Sequence, residues 1–149
     1  MQPQPAQPLV AATPIAFVQA IMRAYDRHGL PREAALLALD RARIAPEQLA
    51  DPGARITAWQ MQQLSEHAMR ALDDEALGWF SRRLPWGSYG MLCRASLGAP
   101  NLGVALKRWC RHHRLLTSDI VLDLRVADGV ATLAITENRP PGDFRDFCL

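Results

Sequence analysis

LPWGSYGMLCRASLGAPNLGVALKRWCRHHRLL, residues 84–116, decides how this chain is read. Pro85 and Gly87 force a turn, and Ser88 is placed to cap a helix whose inward face carries Met91, Leu92, Ala95 and Leu97. Gly98 and Pro100 end that helix, and Asn101 caps the next. The second helix runs to about Leu116 and sets Leu102, Ala105, Leu106, Trp109 and His113 at i, i+3, i+4, i+7 and i+11, a stripe that faces a core. Two of the four Trp and a dense Arg/His run lie in the same stretch.

On the C-terminal side the periodicity changes from helical to alternating. Ile120 to Val126 alternates apolar with charged residues, Asp128-Gly129 is a two-residue turn signal, and Val130 to Thr136 repeats the alternation, which together predict a β-hairpin. A hairpin alone is marginal in water, so it must pack on the helices or join further strands. Beyond Arg139-Pro140-Pro141-Gly142, the run Asp143 to Leu149 starts a helix and stops within about two turns, with Phe144 and Phe147 still arriving. An incomplete domain is expected.

On the N-terminal side, residues 1–12 are rich in Pro, Gln and Ala and read as a disordered leader. Thr13 is expected to cap a helix with Pro14 in its first position, carrying Phe17, Val18, Ile21, Met22 and Tyr25 inward and ending at Gly29. Pro31 to Leu39 suggests a second helix, with Leu36, Leu37 and Leu39 available to pack on the first. Two prolines break regularity between Ala45 and Gly53. Thr57 and Gln60 form a capping-box pattern for a helix that turns Trp59, Met61, Leu64, Ala68 and Leu72 toward the core. Asp73 and Asp74 stop it, and a short helical segment from Glu75 to Arg83 brings Leu77, Trp79 and Phe80. The fold class is α+β: a mainly helical N-terminal part of about five to six helices, then a hairpin. There is no internal repeat.

A chain of 149 residues, 49% hydrophobic and 21% charged, suits one packed domain. Its net charge of +2, from 17 basic against 15 acidic side chains, gives no excess that drives binding to nucleic acid or an anionic membrane. Nearly all the basic residues are Arg, with Lys107 the only Lys, which reads as codon composition ahead of a phosphate-binding surface. Cys93, Cys110 and Cys148 are odd in number and far apart, which argues against a disulfide framework or a zinc site and fits a reducing, cytoplasmic compartment. The N-terminus lacks a basic start and a long apolar run, and no segment reaches the roughly eighteen apolar residues that span a bilayer.

Few residues carry chemistry. In Cys110-Arg111-His112-His113 the adjacent His side chains point about 100° apart, so they read as structural rather than as metal ligands. Cys93 has no orienting partner in a recognisable signature and reads as a small buried hydrophobe. Asp73-Asp74-Glu75 lies between two helices, where carboxylates serve as caps. Arg82-Arg83, or Arg108 with Arg111 and Arg114, offer planar donors to an anionic effector or a phosphate, against the plainer reading of a solvated helix face. Trp86 and Tyr89 flank a turn where an aromatic wall can line a pocket or plug a joint between helices.

The order of segments from about Ile15 to Leu149 resembles the N-terminal effector-binding region of AraC-type bacterial transcription regulators, in the arabinose-binding-like subgroup. Phe17-Val18-Gln19-Ala20 with Tyr25 and Gly29-Leu30 begin the likeness, and Leu49-Ala50-Asp51-Pro52 with Arg55-Ile56 continue it. Leu72-Asp73-Asp74-Glu75 with Leu77-Gly78, Gly87-Ser88-Tyr89 with Met91 to Ala95, and Leu102-Gly103 with Ala105-Leu106 and Arg108 follow. Arg114 to Thr117 with Asp119, then Glu137-Asn138, close it. The resemblance implies a sensor that binds a small-molecule effector or forms a homodimer, and that contacts DNA only through a C-terminal domain absent from residues 13–149. The chain is then either a fragment of a longer regulator or a truncated gene product. Trp86, Tyr89, Arg94, Trp109 and His113 are the candidate effector-binding residues, with no catalytic residue, metal or cofactor. The alternative is a small cytoplasmic enzyme using Cys93 or the His112/His113 pair, weakened by the lack of any G-x-S-x-G, P-loop, H-E-x-x-H or Rossmann fingerprint. Direct nucleic-acid binding by the Leu102–Leu116 helix is a third reading, limited by the modest net charge.

Overall fold

The structure, a computed structural model, describes residues 10–140. Among these, five α-helices and two antiparallel strand pairs form two compact units, one ending at Leu72 and one beginning at Asp73. The α+β expectation holds. No helix among the described residues is long and apolar enough to cross a membrane. Most of the stretch read as a leader, residues 1–9, and the helix start read around Phe144 lie outside the described residues.

In the first unit, strand β1 (Ala11–Pro14) pairs antiparallel with β2 (Arg55–Thr57), with Thr13 opposite Ile56 and Pro14 opposite Arg55. Ala11 and Ala12, read as the end of the leader, therefore lie in a strand, and the Arg55 guanidinium ties it further by donating to the Ala12 carbonyl at 2.7 Å. Thr13 does not cap the first helix. Helix α1 (Ile15–Arg27) has Pro14 at its cap position with no side-chain bond, and the Ile15 N–H donates to the Ala54 carbonyl at 3.0 Å. The strand pair supplies the partner that a capping side chain otherwise provides.

Ile15, Val18, Ile21 and Tyr25 are buried at helical spacing, while Phe17 and Met22 are partly exposed. Gly29, at φ +67°, ends the helix in the left-handed conformation, and the Leu30 N–H closes back on the Tyr25 carbonyl at 3.0 Å. Helix α2 (Arg32–Arg41) buries Ala38 and Leu39, and Ala42 and Ile44 follow them into the core. Leu36 and Leu37, expected inside, flank that face and stay exposed. A single 3-10 turn covers Pro46–Ala50.

The capping box forms as read at the start of α3 (Ala58–Leu72). The Gln60 N–H donates to the Thr57 hydroxyl at 3.2 Å, and the Gln60 carboxamide oxygen accepts the Thr57 N–H at 3.0 Å. Leu64, Ala68 and Leu72 are buried, and Trp59 is partly exposed beneath the Arg43 guanidinium, 5.5 Å from its ring centroid.

Tyr25 is fully buried, and its hydroxyl has no hydrogen-bond partner among the described residues. Burial pushes its pKa up to about 12, so it stays a neutral phenol. An unmet buried hydroxyl costs free energy. Tyr25→Phe, which removes only that oxygen, is therefore expected to leave stability unchanged or raise it by up to about 1 kcal/mol in urea unfolding. A loss above about 1 kcal/mol would show a hydroxyl bond that the structure lacks.

In the second unit the segment after Asp73 is not helical. Leu77 and Gly78 have φ of +52° and +75°, which no right-handed helix contains. The Asp74 carboxylate takes the N–H groups there instead, accepting from Ala76 at 3.0 Å and Leu84 at 3.0 Å on Oδ1, and from Gly78 at 2.7 Å on Oδ2. Asp73 accepts the Trp86 N–H at 3.0 Å. Glu75, not Ser88, caps helix α4 (Ser88–Leu97), accepting the Gly87 and Tyr89 N–H groups at 2.8 and 2.7 Å. The three carboxylates read as caps thus each hold backbone.

Helix α4 buries Leu92 alone, leaving Met91 59% and Leu97 80% exposed where a core face was expected. Helix α5 (Leu102–Leu116) is capped by Asn101, whose side-chain oxygen accepts the Val104 N–H at 3.0 Å. Of its expected stripe only His113 is buried; Ala105, Leu106 and Trp109 are half-buried, and Leu102 faces solvent. Strands β3 (Ile120–Ala127) and β4 (Val130–Glu137) pair along their full length, from Ile120 opposite Glu137 to Ala127 opposite Val130. Asp128 at φ +51° and Gly129 at +77° make the two-residue turn with left-handed backbone that hairpin twist favours. Ile120, Leu122 and Cys110 form a small core, with Phe80, Trp109 and Leu124 packed against it.

Candidate functional site

Tyr89 sits in the first turn of α4, fixed there because Glu75 holds its N–H. Trp109 and His113 lie at i and i+4 on α5, so their side chains stack along one face. The two helices pack so that the Tyr89 ring lies 6.2 Å from that of Trp109 at 17°, and 6.0 Å from the His113 imidazole at 37°. The Tyr89 hydroxyl is 3.4 Å from His113 Nε2, a long contact for a hydrogen bond.

His113 is 2% exposed, and burial lowers its pKa below the ordinary histidine value, so the ring is neutral at pH 7. Its Nδ1 is buried with no hydrogen-bond partner among the described residues, as is Nδ1 of His112. A neutral imidazole with one nitrogen toward a phenol and the other unmet can serve as donor or acceptor to a ligand, and the stacked rings beside it offer an apolar wall.

Of the five residues read as effector-binding, three come together: Tyr89, Trp109 and His113. Trp86 is half-exposed at the turn before α4. Arg94 is exposed, and its guanidinium folds back along α4 toward Gly90. The unmet His113 nitrogen escaped sequence reading, because the i+11 position in an apolar stripe signals burial and says nothing about hydrogen bonding.

The reactive candidates sit apart from such chemistry. Cys93 is exposed, not buried as expected, and Cys110 is buried. Burial first, and the nearby Asp123 second, push the Cys110 thiol above the ordinary cysteine range, which disfavours the nucleophilic thiolate. Among the described residues no group of three or more His, Cys, Asp or Glu is placed to hold a metal ion. Arg82 donates to the Leu115 carbonyl at 3.2 Å, a structural role.

Comparison with known proteins bears on the regulator reading. The family model of the arabinose-binding domain at the N-terminus of AraC transcription regulators matches residues 29–149. The ornithine utilization regulator of Pseudomonas aeruginosa is 31% identical over 140 residues, 93% of this chain. The chain spans 40% of that relative's length. No solved structure matches. These likenesses support a regulatory module and lend nothing to an enzyme using Cys93 or His112/His113. With a family model covering most of its length, the chain belongs to the N-terminal arabinose-binding domain family of AraC transcription regulators.

Proposed function

We propose that this regulatory module senses a small-molecule effector at the Tyr89–Trp109–His113 cluster, with Trp86 and Arg94 at its margin. The observation that carries the reading is the buried His113 Nδ1, without a partner among the described residues, set beside two stacked aromatic rings. This nitrogen is closed to solvent, so an effector reaches it only by parting the α4–α5 packing around it, and gains there a hydrogen bond in a dry setting where it counts most. An effector bound there presses on the α4–α5 packing, and so favours one arrangement of the unit over another. The family label names arabinose, while the relative's name concerns ornithine utilization. Both belong in the first panel of compounds. Homodimer formation and DNA contact through a C-terminal domain outside this chain are part of the same proposal and rest on the family alone, as does a cytoplasmic address.

Thermal-shift measurement against sugars, amino acids and diamines tests this reading. A compound that binds only the folded chain is expected to raise the melting temperature by about 5–11 °C at a hundredfold excess over its Kd. Tyr89→Ala and His113→Phe should each abolish that rise while leaving the unliganded protein folded. A rise that survives both substitutions places the effector elsewhere, and a panel without any responder overturns sensing by this chain.

A further inference from the structure

The face of α5 turned toward β3 carries a second candidate site, separate from the aromatic cluster. Lys107, Arg111 and Arg114 fall at i, i+4 and i+7 and line one groove of about 330 Å3, with Asp123 on the opposite wall and Leu122 and Leu124 beside it. Arg108, grouped with Arg111 and Arg114 in the sequence, does not line it. None of the three cations has an ion-pair partner among the described residues, and Asp123 is already engaged by the Arg125 guanidinium at 3.0 Å. Helix geometry spaces the three positions about 6 and 4.5 Å apart along the axis, close enough for their charges to repel.

A base in the last turn of a helix is favoured by the helix dipole, which accounts for Arg114. It does not account for Lys107, two turns upstream and the chain's only Lys. The groove is small for a polymer and within the range that encloses a metabolite. Guanidinium groups bind carboxylate and phosphate oxygens in pairs, and the leucines give a short carbon chain somewhere to lie.

We propose that this groove binds a small dianion, a short dicarboxylate or a phosphate, bridged by Lys107, Arg111 and Arg114. The site does not depend on the aromatic cluster, so it stands or falls apart from effector sensing there.

Isothermal titration of the protein with succinate and, separately, with inorganic phosphate, at constant ionic strength, tests it. One of the two is expected to bind with a Kd below about 1 mM, and Arg111→Gln should weaken that binding roughly tenfold or more. Arg108→Gln removes the same charge from the same helix outside the groove, and should change the Kd by no more than about twofold. Succinate binding more tightly identifies a dicarboxylate, and phosphate binding more tightly identifies a phosphate ligand. Circular dichroism confirms the fold of each variant, and Lys107→Gln replaces Arg111→Gln if the latter unfolds. Failure of both anions to bind at about 10 mM overturns the proposal, as does equal weakening by Arg108→Gln, which signals diffuse charge rather than a site.

Discussion

Asp74→Ala is expected to destabilise the second unit by about 3–5 kcal/mol, a large part of the roughly 5–15 kcal/mol that holds a typical domain folded. The carboxylate is 1% exposed and accepts backbone N–H groups from Ala76, Gly78 and Leu84. Bonds to an ionised acceptor are stronger than neutral ones, and truncation leaves the donors it served buried and unmet. The backbone there cannot find substitutes by becoming helical, because Leu77 and Gly78 hold positive φ. Asp74→Asn discriminates between lost volume and lost acceptors. An amide nitrogen in place of Oδ2 faces the Gly78 N–H, and in place of Oδ1 it faces two N–H groups. Either orientation opposes donor to donor, so Asn is expected to cost about 2–4 kcal/mol although it matches Asp in shape. Urea unfolding followed by Trp fluorescence measures both variants, since Trp79, Trp86 and Trp109 all report from this unit. A change below about 1 kcal/mol for Asp74→Ala would mean that the loop from 73 to 88 finds its order elsewhere.

That loop also marks where sequence stops being legible. Signals complete within four residues came through: the Thr57–Gln60 box, the Asn101 cap, Gly29 at a helix end and Asp128-Gly129 at a hairpin turn each specify their own partners. Asp73, Asp74 and Glu75 were readable as capping residues, but the N–H groups they cap lie up to 14 positions away and depend on the path of the loop. The β1–β2 pair was invisible because its strands have four and three residues and meet across more than forty positions. Apolar periodicity misled at Met91 and Leu97, since it marks a helix face without saying whether anything covers it. The candidate site shows the same division: Trp109 and His113 share a face by spacing alone, whereas Tyr89 joins them only through helix packing.

Asp119→Asn is expected to cost about 2–3 kcal/mol at pH 7 and to flatten the acid limb of the stability profile. Asp119 joins three segments of the second unit: Ser81 donates its hydroxyl at 2.6 Å and its N–H to the carboxylate, and the Asn138 and Arg139 N–H groups close on the Asp119 carbonyl at 2.8 and 3.1 Å. Burial by itself pushes the carboxyl pKa up. The Ser81 donors, with the Arg139 guanidinium 3.6 Å away, outweigh it and hold the pKa below the ordinary aspartate value. A carboxylate whose pKa falls on folding contributes stability that is fully present above the unfolded value of about 3.9 and is lost as pH drops through the folded value. The wild type should therefore lose this contribution below about pH 4, and Asp119→Asn, which does not titrate, should not. Arg139 is largely exposed, so Arg139→Gln is expected to cost no more than about 1 kcal/mol and cannot mimic the effect. Ser81→Ala should reproduce about half of it, and a double-mutant cycle between Ser81 and Asp119 should give a coupling of about 1–2 kcal/mol at pH 7 that falls as pH drops through the folded value. Urea unfolding across that range decides the matter: equal acid limbs for wild type and Asp119→Asn would remove this carboxylate from the acid response of the fold.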